Sequence, residues 1–159
     1  MTSETPRHKP RTTVDVNRIR DGSIDVDVEI DDINTSRTDS AARRMQIFDP
    51  NKPLGMQKLF PRRIVATRGA IALLTKSNVE LQILIKHHLF GDWGDSDSDE
   101  IELNDFAVVN EMRVMGTYRI ADWRTQQALS AHDRAELPTV WVFTQYDPSV
   151  TSVMLPSEY

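Results

Sequence analysis

The sequence predicts an α+β domain: helices packed on one face of an antiparallel β-meander, with an N-terminal β-hairpin extension. Three observations predict it. Apolar and polar residues alternate with period two on both sides of Asp21-Gly22. Apolar residues at helical spacing run through residues 79–89 and again through 100–112, on either side of the acidic loop Asp92–Asp99. Three strand-like runs, 113–120, 139–145 and 150–155, then follow with no βαβ alternation.

Residues 1–11 hold two prolines and Arg7, His8, Lys9 and Arg11, and are expected to be a disordered tail. Residues 12–30 form the expected hairpin. Val14 and Val16 alternate with polar residues, as do Ile24, Val26, Val28 and Ile30 with Asp25, Asp27 and Glu29. Asp21-Gly22 supplies the positive φ of a tight turn. The three carboxylates read as the solvent face of a strand. Residues 31–58 are a polar linker that ends near Pro50 and Pro53, and residues 59–159 are the α+β module.

Within the module Arg63–Ala66 is expected as a short apolar strand or an extended entry, and Ala70–Thr75 as the beginning of a short helix. Ser77 is placed to cap a second helix carrying Leu81, Leu84, Ile85 and His88 on one side, and Gly91 ends it. Glu100–Met112 is a third helix, with Ile101, Leu103, Phe106, Val108 and Val109 as its apolar stripe. Residues 122–137 are a loop with room for one helical turn. Trp93, between two glycines, and Trp141, on a strand, are expected to be buried. Trp123, at the rim of a polar loop, is expected to be exposed.

Composition excludes several classes. With no cysteine there is no disulfide scaffold, thiolate zinc site or Cys nucleophile. No apolar run approaches the roughly 20 residues of a membrane span, and Met1–Thr12 lacks the apolar core of a signal peptide. A cytoplasmic, bacterial-type protein with no membrane partner is the expectation. Residues 1–58 hold ten basic and ten acidic side chains; residues 59–159 hold nine and fourteen, which accounts for the net charge of -5. An acidic module repels a phosphate backbone, so nucleic acid is a disfavoured partner and an unidentified protein the favoured one.

The candidate chemistry gathers where the second helix ends. His88 has the side chain whose ordinary pKa lies nearest neutrality, which suits a general acid or base. Asp92, Trp93 and Asp95 follow it in Gly91-Asp92-Trp93-Gly94-Asp95. The competing reading is a rigid corner, with Trp93 in the core and His88 satisfied by a carbonyl. Arg113, Tyr118 and Thr151 add a cation and two hydroxyls on strands, and Asp147 and Ser149 sit in the last turn. The run Asp95–Asp99 mimics half a calcium loop, but Glu100 stands where Gly is required and Phe106 where a bidentate Glu belongs. No metal and no cofactor are expected.

Ile64–Ala70 (IVATRGA), His88–Asp95, Asn104-Asp105, Arg113, Tyr118, Trp141–Thr144, Asp147–Thr151 and Leu155–Tyr159 carry a further likeness. Through these segments residues 59–159 resemble a family of small proteins borne on bacterial plasmids and integrative elements. Its members are labelled "plasmid-related protein", and some "type I restriction endonuclease subunit M". The chain departs from that pattern in residues 1–58, in the loop 122–137, and at Arg68, where members usually have Pro. A chain of 159 residues with no Gly-rich cofactor motif is no methyltransferase subunit. The resemblance implies an accessory protein of a mobile genetic element, acting by macromolecular binding on restriction, defence or regulatory machinery. The alternative is a small, metal-independent endoribonuclease of the RelE or barnase type, with His88, Arg113, Tyr118 and Thr151 as its catalytic group.

Overall fold

A computed structural model describes residues 14–18, 24–28 and 48–159. The expected tail, the Asp21-Gly22 turn and residues 31–47 of the expected linker lie outside the described residues. In chain order the elements are β1 (Val14–Arg18), β2 (Ile24–Val28), β3 (Arg63–Ala66), α1 (Arg68–Lys76), α2 (Leu81–Leu89), α3 (Ser98–Val109), β4 (Val114–Arg119), α4 (Trp123–Ala128), α5 (Ala131–Ala135), β5 (Thr139–Thr144) and β6 (Val150–Met154). A 3-10 turn, Pro156–Glu158, follows. Among the described residues no helix is long and apolar enough to cross a membrane.

The architecture is α+β, built on a mixed sheet. β4 pairs antiparallel with β5 and β5 antiparallel with β6, but β3 lies parallel to β6, with Arg63 opposite Val150 and Ala66 opposite Val153. The expectation of a purely antiparallel sheet is corrected at this pair. RIVA is apolar enough to sit inside a sheet, but its direction depends on where the intervening helices return the chain. Backbone pairing also sets β2 along the other side of β3 and β1 along β2.

Alternation along the strands separates two faces. Ile64, Ala66, Val114, Tyr118, Val140, Val142 and Val153 join Ala70, Leu74, Leu84, Ile85, Leu89, Ile101 and Ala107 from α1–α3 in one core. Phe48 and Leu54 are buried in the same core, so the packed unit reaches back beyond the expected boundary at Leu59. The Phe48 ring stands edge-on to His87 and Tyr118, with centroids 5.1 and 5.4 Å away. Trp93 is buried as expected, whereas Trp141 and Trp123 are both partly exposed. Trp141 points outward from β5, next to the core-facing Val140 and Val142.

Side chains set the helix starts. Thr67 Oγ1 accepts from Ala70 N, Asp97 and Glu100 form a capping box on α3, and Asp122 and Ser130 cap α4 and α5. Ser77 does not cap α2: it closes α1. The expected single helical turn in 122–137 is two short helices, α4 and α5, joined by a bond from Arg134 Nη2 to Gln126 O.

The ends of α1, α2 and α3 share one device. The residue after each C-cap has positive φ: Asn78 at 55°, Gly91 at 84°, Glu111 at 54°. The next amide bonds back to the helix: Val79 N to Leu74 O, Asp92 N to His87 O, and Met112 N to Ala107 O. This is the Schellman closure, which favours Gly and tolerates Asn. Glu111 is the exception, since a left-handed L-residue costs roughly 1–2 kcal/mol. Glu111→Gly is therefore expected to raise stability by about 1 kcal/mol after the added chain entropy of Gly. Urea denaturation of the two proteins checks this; an unchanged or lower midpoint contradicts it.

Candidate functional site

β4 is an edge strand of the sheet, so one row of its backbone groups lacks a strand partner. Those groups belong to Met115, Thr117 and Arg119. Asn104 on α3 donates its Nδ2 to Met115 O at 2.8 Å and accepts Met115 N on Oδ1 at 3.2 Å. Thr117 N donates to Trp93 O at 3.2 Å, and Thr117 O accepts from Asp95 N at 2.7 Å. Arg119 N donates to Asp95 Oδ2 at 2.7 Å. The Gly-Asp-Trp-Gly corner thus runs along β4 as a short parallel bridge at Gly94. Gly94 has φ 74°, and a Cβ there would collide with Thr117 O and the Tyr118 ring. Trp93 closes the corner: it is buried, and its Nε1 donates to Asp105 Oδ1 at 3.1 Å, which also pairs with Lys58 Nζ at 3.3 Å.

Behind the corner lies a chain of buried polar groups. Tyr118 Oη donates to Asp92 O at 2.7 Å. Its proton is thereby spent, so the 3.1 Å contact with His88 must be donated by His88 Nδ1. His88 Nε2 is then the acceptor and takes the Thr144 hydroxyl at 3.0 Å. Thr144 Oγ1 in turn accepts from Thr151 Oγ1 at 2.8 Å. Every bond points the same way, from Thr151 to the Asp92 carbonyl, through a neutral imidazole. Burial removes the water that would stabilise an imidazolium and lowers the His88 pKa from 6.5 to about 3; the Asp92 charge offsets this in part. Burial likewise pushes the Tyr118 hydroxyl well above its usual range.

The neighbouring His87 ring lies between two acceptors, Asp92 Oδ2 at 2.7 Å and Pro50 O at 3.3 Å. Asp92 Oδ1 accepts Gly94 N at 3.2 Å and stands 3.7 Å from Lys52 Nζ. Burial raises the pKa of Asp95, against the lowering effect of its bond from Arg119 N. The acidic run is divided: Asp95 and Ser96 are buried, whereas Asp97, the α3 cap, and Asp99 are exposed. Among the described residues no group of three or more His, Asp or Glu side chains is placed to hold a metal.

His88, Arg113 and the last turn do not share one surface, because His88 is sealed inside the molecule. His88, Tyr118, Thr151 and Asp92 do come together, but inside the molecule. Thr144, which with Ser149 and Thr151 flanks the last turn in the sequence, completes their chain. Arg113 lies outside: its guanidinium is 4.3 Å from the Phe143 ring centroid and 5.4 Å from that of Tyr159, and Nη1 donates to Tyr159 Oη at 3.1 Å. Asp147 is exposed and holds Ser149 Oγ at 2.5 Å, while Ser149 O accepts Arg63 N at 2.9 Å. That turn fastens the start of β3. A general base must come within hydrogen-bond reach of a substrate proton. His88 is fully buried, with both ring nitrogens engaged.

The exposed feature that the sequence reading placed in the core is on α3. Ile101, Asn104 and Ala107 face inward, whereas Leu103, Phe106 and Val109 are 67%, 58% and 82% exposed. Met112, three residues beyond Val109, is also exposed and lines a groove of about 190 Å³ with Phe60, Val108, Tyr146 and Pro148. The signal was present in the sequence: apolar residues surround α3 on more sides than one packed face requires. Comparison of the chain with family models, with curated proteins and with solved structures gives no match.

Two outcomes are expected at the corner. Gly94→Ala should lower stability by roughly 2 kcal/mol or more, from a strained φ and a lost edge bridge; a midpoint within error of the parent protein would contradict this. The His88 chain makes stability depend on pH. The unfolded histidine binds a proton below about 6.5, but the folded one binds it only near 3. Between those values the unfolded state holds more protons, so stability is full above about pH 6.5 and falls on acidification, by up to roughly 1.4 kcal/mol per pH unit. Asp95 acts in the opposite sense, so the measurement is a difference. His88→Gln, compared with the parent by denaturation between pH 4 and 7, should show a shallower acid loss; equal slopes would contradict the buried neutral histidine.

Proposed function

We propose that this chain is a binding protein without a reaction of its own, acting in the bacterial cytoplasm as an accessory of a mobile genetic element. It docks a partner protein through the outward face of α3 and the adjoining groove. The observation that carries this reading is the run of exposed apolar side chains Leu103, Phe106, Val109 and Met112, continued by Phe60 and Tyr146. Contiguous exposed apolar surface on a folded domain marks an interaction site. The polar residues that suggested catalysis are occupied in holding the fold, so the endoribonuclease reading lacks an accessible base. The mobile-element assignment rests on the resemblance of residues 59–159. The β-hairpin extension read over residues 12–30 would join the sheet beside β3, at the end away from β4.

The test is capture of partners from a donor-cell lysate by the full chain, by Leu103→Ser/Phe106→Ser, and by Arg113→Ala. The double variant should lose the partner by about thirtyfold or more, the effect of removing central anchors, with an unchanged melting temperature. Arg113→Ala should retain it. A partner set indifferent to the double variant overturns the docking face. RNA cleavage that Arg113→Ala abolishes would overturn the non-catalytic reading.

A further inference from the structure

We infer that the occupant of this face is a basic amphipathic helix of the partner protein, an inference that rests on the docking reading above. The first ground is the charge arrangement on α3. Each exposed apolar residue has a carboxylate one turn before it: Asp99 before Leu103, Glu102 before Phe106, Asp105 before Val109. Residues four apart are neighbours on a helix surface, so the apolar stripe and the acidic row lie side by side. Glu111, just beyond α3, lines the groove together with Lys58, which pairs with Asp105. Lys58 offsets the charge of Asp105, whereas the Arg113 guanidinium is turned onto Phe143 and Tyr159.

This arrangement selects among occupants. A second copy of the chain would bring acidic row against acidic row around the same apolar stripe, a like-charge contact that costs affinity. Nucleic acid would meet the same repulsion from its phosphates. A segment with apolar anchors and flanking Lys or Arg satisfies both halves of the face.

The second ground is the shape of the face and the state of the nearest sheet edge. An extended peptide binds by adding a strand to a free edge. At β4, the edge that α3 flanks, the outward backbone groups of Met115, Thr117 and Arg119 are already bonded to Asn104, Trp93, Asp95 and Gln126. Recognition there falls to side chains on a helical ridge. α3 has 12 residues, about 18 Å of axis, and anchors spaced by three. A second helix laid along that ridge presents anchors at matching spacing. One bulky side chain at its end reaches the groove between Phe60, Met112 and Tyr146.

The experiment uses the full chain and two synthetic peptides, each about five helical turns long, with the same leucines at i, i+3, i+4 and i+7. One carries lysine at the flanking positions and the other glutamate. The lysine peptide is expected to bind, with amide NMR shifts confined to α3 and the groove and an affinity that falls about tenfold or more between about 0.05 and 0.5 M salt. Asp99→Lys/Glu102→Lys should weaken it by about tenfold or more and admit the glutamate peptide. Equal binding of both peptides, shifts elsewhere, or no binding of the lysine peptide overturns the inference. So does a dimer in sedimentation that Leu103→Ser/Phe106→Ser dissolves. The two readings fail differently. If the captured partner is lost with Leu103→Ser/Phe106→Ser but indifferent to Asp99→Lys/Glu102→Lys, the docking face stands and the basic helix falls.

Discussion

An edge strand exposes a row of backbone N–H and C=O groups, and on β4 the outward groups of Met115, Thr117 and Arg119 all have partners. The Asn104 amide, the Trp93–Asp95 backbone, the Asp95 carboxylate and, for Arg119 O, the Gln126 side-chain amide supply them. The positions of α2 and α3 follow from this pairing. α2 must end where Gly91 can turn the chain into the corner, and α3 must start at Asp97 with Asn104 facing the strand. The cost of leaving such groups unpaired in the interior, roughly 1–3 kcal/mol each, is large against the stability of a small domain.

The His88 chain is the inner half of the same construction. It links α2 to β4, β5 and β6 through Tyr118, Thr144 and Thr151, and it ends on the carbonyl of Asp92, the residue that opens the corner. A buried polar network with every member satisfied specifies one arrangement of its elements, because any slip strands several groups at once. Of the residues most suggestive of catalysis in the sequence, His88, Tyr118 and Thr151 are thus engaged with one another, and Arg113 is engaged with Phe143 and Tyr159. A neutral imidazole with both nitrogens bonded holds the fold at neutral pH and works against it in acid.

The apolar part of the surface is unevenly distributed. α3 buries Ile101, Asn104 and Ala107 and leaves Leu103, Phe106 and Val109 in water beside a row of carboxylates. A domain stabilised by its own packing gains nothing from that arrangement. A partner that covers the stripe gains the burial of several large side chains, and the acidic border limits which partners can do so.

The α+β class, most element positions and the tight corner at Gly91 and Gly94 were legible in the sequence, because period, capping residues and glycine act over a few neighbouring residues. Capping of α3 by Asp97 was obscured by a resemblance to half a calcium loop, since the same carboxylates serve both. The parallel direction of β3, the sealing of His88 and the outward face of α3 were decided only by tertiary structure. Strand direction depends on the path of three helices, and a histidine becomes base or strut according to partners up to 56 residues away. A helix that is apolar on several sides must turn one of them to the core. Which one was chosen by Asn104, the residue that had to reach the edge of β4.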